Sequence, residues 1–479
     1  MTARFLSVED AQALMKRAVS LSVGGGETTV RLDSNWTGNL RVARNQVITA
    51  GDVRNNELQA RRDIRGASGE SSINQIDDAH LVTLLRRAER LVHLGHETPL
   101  SDRRHPFFES YPRPPIWSDA TYGLDAAARA DGLRTVIAPV VAAGMHAAAY
   151  VEVSAHGRAT MDGDRVWYYP YTLAQFTVTV RDPAGGGSGW AGVDHNDWAR
   201  MDAAHLSAIA LDKCLRSRNP VAIEPGFYTT IFEPQAVCDL VKWLFTPASL
   251  DRETAEAGKR DGPADSPFYN GDSREGTLYH RSAGVSKIGE LVIDRRLTVS
   301  SDPMDPDLGY PPFLAWQVQH PATWIKEGVL QDLAYYRDYA VKQLGKDTGG
   351  LPSTGSFRMQ AVGETASVAD MIATTKRGLL VTRLGGVDKV PGNAASMLLT
   401  GYTRDGVWLI ENGKITKPVK NFRFTDSPLI ALNNIEQIGV PQRVFRPDAP
   451  DRLPDGYAPV IVPALKVRDF RFTSLADSV

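Results

Sequence analysis

Cysteine is nearly missing from this chain: two residues, Cys214 and Cys238, among 479. Two cannot build a disulfide framework, so a reducing compartment is expected. An excess of either charge is missing as well. Lys and Arg number 54 against 56 Asp and Glu, a formal net charge of -2. With no long basic run, the chain lacks the electrostatic footprint of a nucleic-acid or anionic-membrane binder. No stretch approaches the roughly 18 uninterrupted apolar residues that read as a membrane span. The start, Met1 to Asp10, has no apolar core with a cleavage site, so no signal peptide is expected. These absences predict a cytoplasmic protein without nucleic-acid or membrane partners. What is present is ordinary: 42% hydrophobic and 23% charged residues, enough for real cores and against global disorder. The length fits about three domains, or two large ones.

Ser7-x-x-Asp10 has the form of a capping box, and Val8, Ala11, Leu14, Met15 and Ala18 then recur on one helical face. Strand-like runs follow at 28–32, 40–48 and 59–64. A second amphipathic helix carries Leu81, Leu84, Leu85, Ala88, Leu91 and Val92. Residues 97–118 are Pro-rich and form the first linker candidate. Beyond it the pattern predicts a helix over 125–141, strands over 148–153, 165–171 and 176–180, and a helix over 197–216. A strand at 228–232 leads into a helix over 234–245, with Pro234 early in it, as suits a first-turn residue. From about 286 the chain is mostly strands, with hairpins at Glu327-Gly328 and Glu411-Asn412-Gly413. Pro463 demotes 460–467 to an edge strand. The fold class expected is α+β: an N-terminal α/β region followed by a β-rich, barrel- or sandwich-like C-terminal domain. The divisions are 1–118, 119–232 and 233–479.

Motifs for catalysis are scarce. No G-x-S-x-G is present, so a serine-hydrolase elbow has no support. Cys214 and Cys238 lie in predicted amphipathic helices and read as buried structural thiols. The glycine run at 182–189 lacks a following Lys-Ser/Thr and reads as a hairpin loop. His93 and His96 are the one tight histidine pair, at a helix end rather than on a helix face. Asp302, Asp305 and Asp307 alternate as in a calcium loop. Pro303 and Pro306 break that spacing and no closing Glu follows, so a solvated turn is expected.

Three separated segments carry a family signal. They are Trp324-Ile-Lys-Glu-Gly-Val-Leu-Gln to Gly345, Leu380-Val-Thr-Arg-Leu-Gly-Gly386, and Leu409-Ile-Glu-Asn-Gly-Lys-Ile-Thr-Lys-Pro-Val-Lys420. In order and content they resemble the TldD/TldE (PmbA) family. The resemblance implies a two-part fold and peptide processing by a metalloprotease. In the TldD-type subunit a helix carries HExxxH, whose His residues bind zinc and whose Glu activates water, and a later Cys completes the ligand set. TldE-type subunits lack the motif and pair with a TldD-type one. In a gapless register the motif positions fall on Lys242, Trp243 and Pro247, none of which can ligate zinc or take a proton. No His occurs between 205 and 280, and no Cys follows Cys238.

The resemblance therefore implies a metal-free TldE/PmbA-like subunit of a heterodimeric metalloprotease. This chain would hold no catalytic residue, metal or cofactor of its own. Zinc would sit in an HExxxH-bearing TldD-like partner, and a peptide would be the substrate. Gly385, Gly386, Asp388 and Arg404 are candidates for the rim of the cleft. Two alternatives stand beside this reading. One is a self-sufficient peptide or amide hydrolase with an unrecognised site. The other is a non-catalytic regulatory binding protein, since the family has been linked to modulation of DNA gyrase.

Overall fold

The computed structural model describes residues 4–94, 111–247, 249–257, 278–282, 284–314, 317–345, 350–351, 353, 355–391, 396–446 and 458–476. Helix α1 (Val8–Ser20) starts where Ser7 accepts the Asp10 N–H, and α2 (Asp78–Val92) where Asp77 accepts two amides. Between and after them run six antiparallel strands: β1 (Glu27–Ala43), β2 (Gln46–Ile64), β3 (Ala67–Ile73), β4 (His146–Asp162), β5 (Arg165–Arg181) and β6 (Ser188–His195). They form one sheet in the order β3-β2-β1-β4-β5-β6. The sheet draws on both sides of residue 118, so the two N-terminal regions share a layer. The runs read as separate strands at 28–32 and 40–48 are instead parts of β1 and β2. The chain reverses at Arg44-Asn45, whose φ values of 47° and 66° make the tight hairpin turn usually given to Asn-Gly.

One face of this sheet is apolar. Ala11 and Met15 of α1 and Leu81, Leu84 and Leu85 of α2 pack on Val30, Leu32, Leu58 and Ala60. Helix α3 (Asp119–Gly123) is an unexpected short turn; α4 (Ala126–Ala142) follows the expected run with Pro139 accommodated inside it, and α5 (Ala203–Arg216) fills only the later part of the expected 197–216, after a 3-10 turn at Trp198–Arg200. Leu133, Val136, Ile137 and Val140 of α4 and Ala210 and Cys214 of α5 cover Trp36, Leu40, Phe176 and Val178. The helices lie very close to the sheet edges. A Cβ on Gly69 of β3 would stand 2.2 Å from the Ala88 carbonyl oxygen, and one on Gly189 of β6 would stand 2.1 Å from that of Ala210. The glycine run after Asp182 is the β5–β6 hairpin, as expected.

In the C-terminal half, β7 (Gly226–Phe232) pairs parallel to Arg377–Lys389 and antiparallel to Leu465–Leu475. The ring continues through Phe422–Asp426 and Leu399–Glu411 and closes back on Arg377–Lys389, giving a five-strand barrel. Closure removes the open edges such strands would otherwise present. A second sheet of six short strands carries Leu297–Ser301, Phe357–Ala361 and Val460–Val462 at its centre. The hairpins at Glu327-Gly328 and Asn412-Gly413 form with positive φ at both turn residues. Val460–Val462 is not an edge strand: it lies between Phe357–Ala361 and Gln442–Val444. Pro463 follows it and passes the chain to the barrel strand that starts at Leu465, so no ladder bond is lost.

The halves meet across the second face of the N-terminal sheet. Phe313 and Val318 pack on Trp167, Tyr169 and Tyr171, while Leu308, Tyr310 and Ile461 gather on Leu173. Arg443 donates to Asp194 Oδ1 through Nε at 3.1 Å and Nη2 at 2.9 Å, both side chains being buried. Burial pushes the Asp194 carboxyl up, against the pull of Arg443.

Two stability outcomes follow. Gly189→Ala should lower the urea midpoint, at a cost of about 1–3 kcal/mol, because α5 must move off β6. Arg443→Met should cost about 3–5 kcal/mol by leaving Asp194 buried without its partner, and adding Asp194→Leu should recover most of the loss. A double variant as weak as Arg443→Met alone would remove the ion pair as the cause.

Candidate functional site

The segment expected to hold a zinc helix begins where β7 ends. The Glu233 N–H donates to the Val381 carbonyl, Pro234 opens the first turn, and α6 (Pro234–Val241) is buried from Gln235 onward. The expected helix over 234–245 is in fact two pieces, because Lys242–Phe245 tightens into a 3-10 turn. Asp239 is buried inside α6. Its Oδ2 accepts the Leu384 N–H at 3.0 Å, and its Oδ1 accepts from Gln235 Nε2 at 3.1 Å. Burial pushes the Asp239 carboxyl up to about 6, against the opposing charge of Arg383. Gln235 also exchanges hydrogen bonds with the Phe445 backbone at 2.9 and 3.2 Å. Two side chains thus fix α6 against the barrel on one flank and the 442–446 segment on the other.

Lys242 is buried at the end of α6. The half-buried Trp243 ring has Lys242 Nζ 5.8 Å and Lys389 Nζ 5.5 Å from its centre. Pro247 lies within the bend that Ser249 closes by donating to the Trp243 carbonyl. These three residues do not fit a zinc ion: Lys242 brings a positive charge, Trp243 offers only a donor and Pro247 has no side-chain ligand atom. Among the described residues, no group of three or more His, Cys, Asp and Glu could hold a metal ion.

The barrel strand 377–389 brings most of the rim candidates to this locus. Gly385 and Gly386 face the Tyr402 ring, where an added Cβ would stand 2.9 and 2.6 Å from it. Asp388 is exposed, and its Oδ1 accepts the Lys389 N–H at 2.8 Å. Arg404 sits on the neighbouring strand, its Nε 3.4 Å from the buried Asp405. Sequence reasoning missed the groups behind them. Arg383 Nη1 lies 3.1 Å from Asp405, and its guanidinium lies 4.2 Å over the ring of Trp190 on β6. Ser188 Oγ donates to Asp405 at 2.6 Å, so this cluster joins the barrel to the N-terminal sheet.

The other candidates stay apart. His93 caps the far end of α2, and His96 lies outside the described residues. Both cysteines are buried, and burial pushes the Cys214 thiol up to about 11. Asp305 is gripped by Arg358 at 2.7 and 2.8 Å, and Asp307 pairs with Arg200, so arginines organise that turn.

A second polar cluster lies on the inner face of the N-terminal sheet. Ser154 Oγ is 2.9 Å from His156 Nε2, and His156 Nδ1 is 3.7 Å from Asp33 Oδ1. The His156 ring stacks on Tyr171 at 4.5 Å, and Arg158 donates to Asp33 Oδ2 at 2.7 Å. Burial opposes ionisation of Asp33, but Arg158 and His156 hold it well below the usual carboxylate range. Ser154 and His156 alternate on one strand, a visible pattern. Their pairing with Asp33, more than a hundred residues earlier, has no local signal. β4 is paired on both sides here, so its backbone amides are committed to the ladder.

Three solved structures share this architecture along nearly the full chain. A candidate modulator of DNA gyrase from Bacteroides thetaiotaomicron is 16% identical, with a TM-score of 0.74, over 98% of this chain and 100% of its own. A second candidate gyrase modulator, from Thermotoga maritima, is 13% identical with a TM-score of 0.73, over 97% and 100%. TldE from Thermococcus kodakarensis is 16% identical with a TM-score of 0.71, over 97% and 99%. No curated protein matches the sequence. No helix among the described residues is long and apolar enough to cross a membrane. The model of the PmbA/TldA metallopeptidase C-terminal domain matches residues 225–474, from the start of the barrel almost to its last strand and just over half of the 479 residues. This chain belongs to the PmbA/TldD/TldE family.

Proposed function

We propose that this chain is a metal-free, TldE-type subunit that pairs with an HExxxH-bearing relative in the cytoplasm to process peptides. One observation carries the reading: the three positions on which the family's zinc motif falls in a gapless register hold a buried lysine, an indole and a proline. A metal-activated water needs neutral or anionic donors and a general base, and this locus supplies neither. The contribution of the chain is then shape and charge. Its barrel and α6 form a rigid wall, fixed by Asp239 and Gln235, against which a partner's zinc site and an unfolded peptide come together. The solved relative named TldE supports the same direction.

A self-sufficient hydrolase is the second reading, and Ser154, His156 and Asp33 are what favour it. The order of groups is that of a nucleophile, base and orienting acid. Against it, Asp33 is engaged by Arg158, His156 lies beyond hydrogen-bond distance of Asp33, and the ladder leaves no backbone N–H beside Ser154 for an oxyanion. A gyrase-binding role draws on the names of two solved relatives, and the near-neutral charge offers DNA no electrostatic footprint.

The purified chain should retain no stoichiometric zinc after dialysis, by elemental analysis. Cleavage of an unfolded peptide should appear only when a zinc-bearing relative is added. It should vanish when the Glu of that relative's motif is changed, and should be unaffected by Ser154→Ala here. Chelator-resistant cleavage by this chain alone, lost in Ser154→Ala, would overturn the subunit reading in favour of the hydrolase.

A further inference from the structure

The charge of this chain is balanced only in total. Residues 376–423 carry nine Lys and Arg against three Asp and Glu, although the whole chain stands at -2. Arg383 and Arg404 face Asp405. Lys376, Arg377, Lys414, Lys417 and Lys420 are exposed, and among the described residues their side chains form no ion pair or hydrogen bond. They gather at the end of the barrel away from α6. The Arg377 guanidinium lies 5.9 Å over the ring of Tyr228, near the start of β7, whereas α6 follows the end of that strand. The Lys376 carbonyl accepts the Asn412 N–H at 2.8 Å, which sets it beside the hairpin leading to Lys414. Glu411 is in register with both Arg377 and Lys414, yet its Oε2 accepts from Thr416 Oγ1 at 2.9 Å and pairs with neither.

An open backbone edge runs through this group. The strand Lys414–Pro418 pairs with Leu399–Glu411 on one side and ends the path of its sheet. Its other side is met at Pro418, whose carbonyl accepts the Val221 N–H at 3.1 Å. From Lys414 to Lys417 no strand lies against that side among the described residues. We propose that this edge docks an extended acidic segment of another protein, which adds a strand beside Lys414–Lys417 and sets its carboxylates among the five cations. Main-chain hydrogen bonds supply the attachment, and alternate side chains supply the selectivity. The lysines keep a second copy of this edge, or any basic strand, from pairing here, because like charges would face each other. A nucleic acid would answer the charge but has no peptide groups to offer the edge. The surface lies at the opposite end of the barrel from α6, so the proposal goes beyond the subunit reading and does not depend on it.

The test is fluorescence anisotropy of the full-length chain with labelled probes of equal length. One is a dodecapeptide alternating Glu and Thr, and a second has Gln in place of every Glu. A third keeps every Glu and replaces alternate Thr by Pro, and the fourth is an oligothymidylate. The Glu-Thr peptide should bind at least roughly tenfold more tightly than the Gln peptide, and added salt should weaken it, since exposed charges are screened. The Pro-bearing peptide has the same charge but fewer N–H donors, so it should bind several-fold more weakly. Lys414→Gln/Lys417→Gln should cost the Glu-Thr peptide roughly tenfold. Lys16→Gln/Lys326→Gln removes the same charge from exposed positions elsewhere and should leave binding unchanged. Equal binding of the Glu and Gln peptides, or equal losses in the two double variants, overturns the proposal. Undiminished binding of the Pro-bearing peptide overturns strand addition, and tighter binding of the oligothymidylate overturns the protein partner.

Discussion

The buried carboxyl of Asp239 is the constraint on which the functional end of this molecule depends. A carboxyl inside an apolar helix is tolerated only if its oxygens are satisfied and a positive charge stands near. Leu384, Gln235 and Arg383 meet that demand, and in meeting it they fix α6 to the barrel strand at one height. Arg383 extends the constraint outward. It pairs with Asp405, lies over Trp190, and so reaches the N-terminal sheet, where Ser188 also donates to Asp405. The position of Lys242 and Trp243 follows from this chain of contacts, not from the helix alone.

Much of the architecture was legible because it is local. Ser7 announces a helix, apolar stripes at helical spacing mark the faces that bury, and Asn412-Gly413 marks a hairpin. The failures share one cause, which is pairing decided far away. Arg44-Asn45 turns tightly without glycine because β1 and β2 are held together along their whole length. Val460–Val462 reads as an edge because of Pro463, yet strands from 357 and 442 enclose it. The same limit applies to the site. Lys242, Trp243 and Pro247 could be named from the register of a motif. Lys389 reaches the Trp243 ring only through the barrel, and Arg383, Asp405 and Trp190 come from three different strands.

The inner face of the N-terminal sheet is a second lesson in context. Ser154, His156 and Asp33 have the identities of a catalytic set, but their neighbours decide otherwise. Arg158 takes the acid, Tyr171 stacks on the base, and the ladder occupies the amides. In that setting the cluster is a buried polar network beneath the junction of the two halves.

Strand β7 also sets an order of events during synthesis. Its neighbours in the barrel begin at residues 377 and 465, the second lying close to the end of the chain. The N-terminal sheet is complete by residue 195 and holds its own helices, so it can fold while the rest is still being made. The barrel has no such freedom. Until Leu465–Leu475 has left the ribosome, β7 and Phe422–Asp426 each expose an unpaired edge, and α6 has no finished wall to bury against. From residue 195 until Leu465–Leu475 emerges, the nascent chain therefore carries a finished sheet tethered to an open barrel, and loss of Leu465–Leu475 removes the strand that closes it.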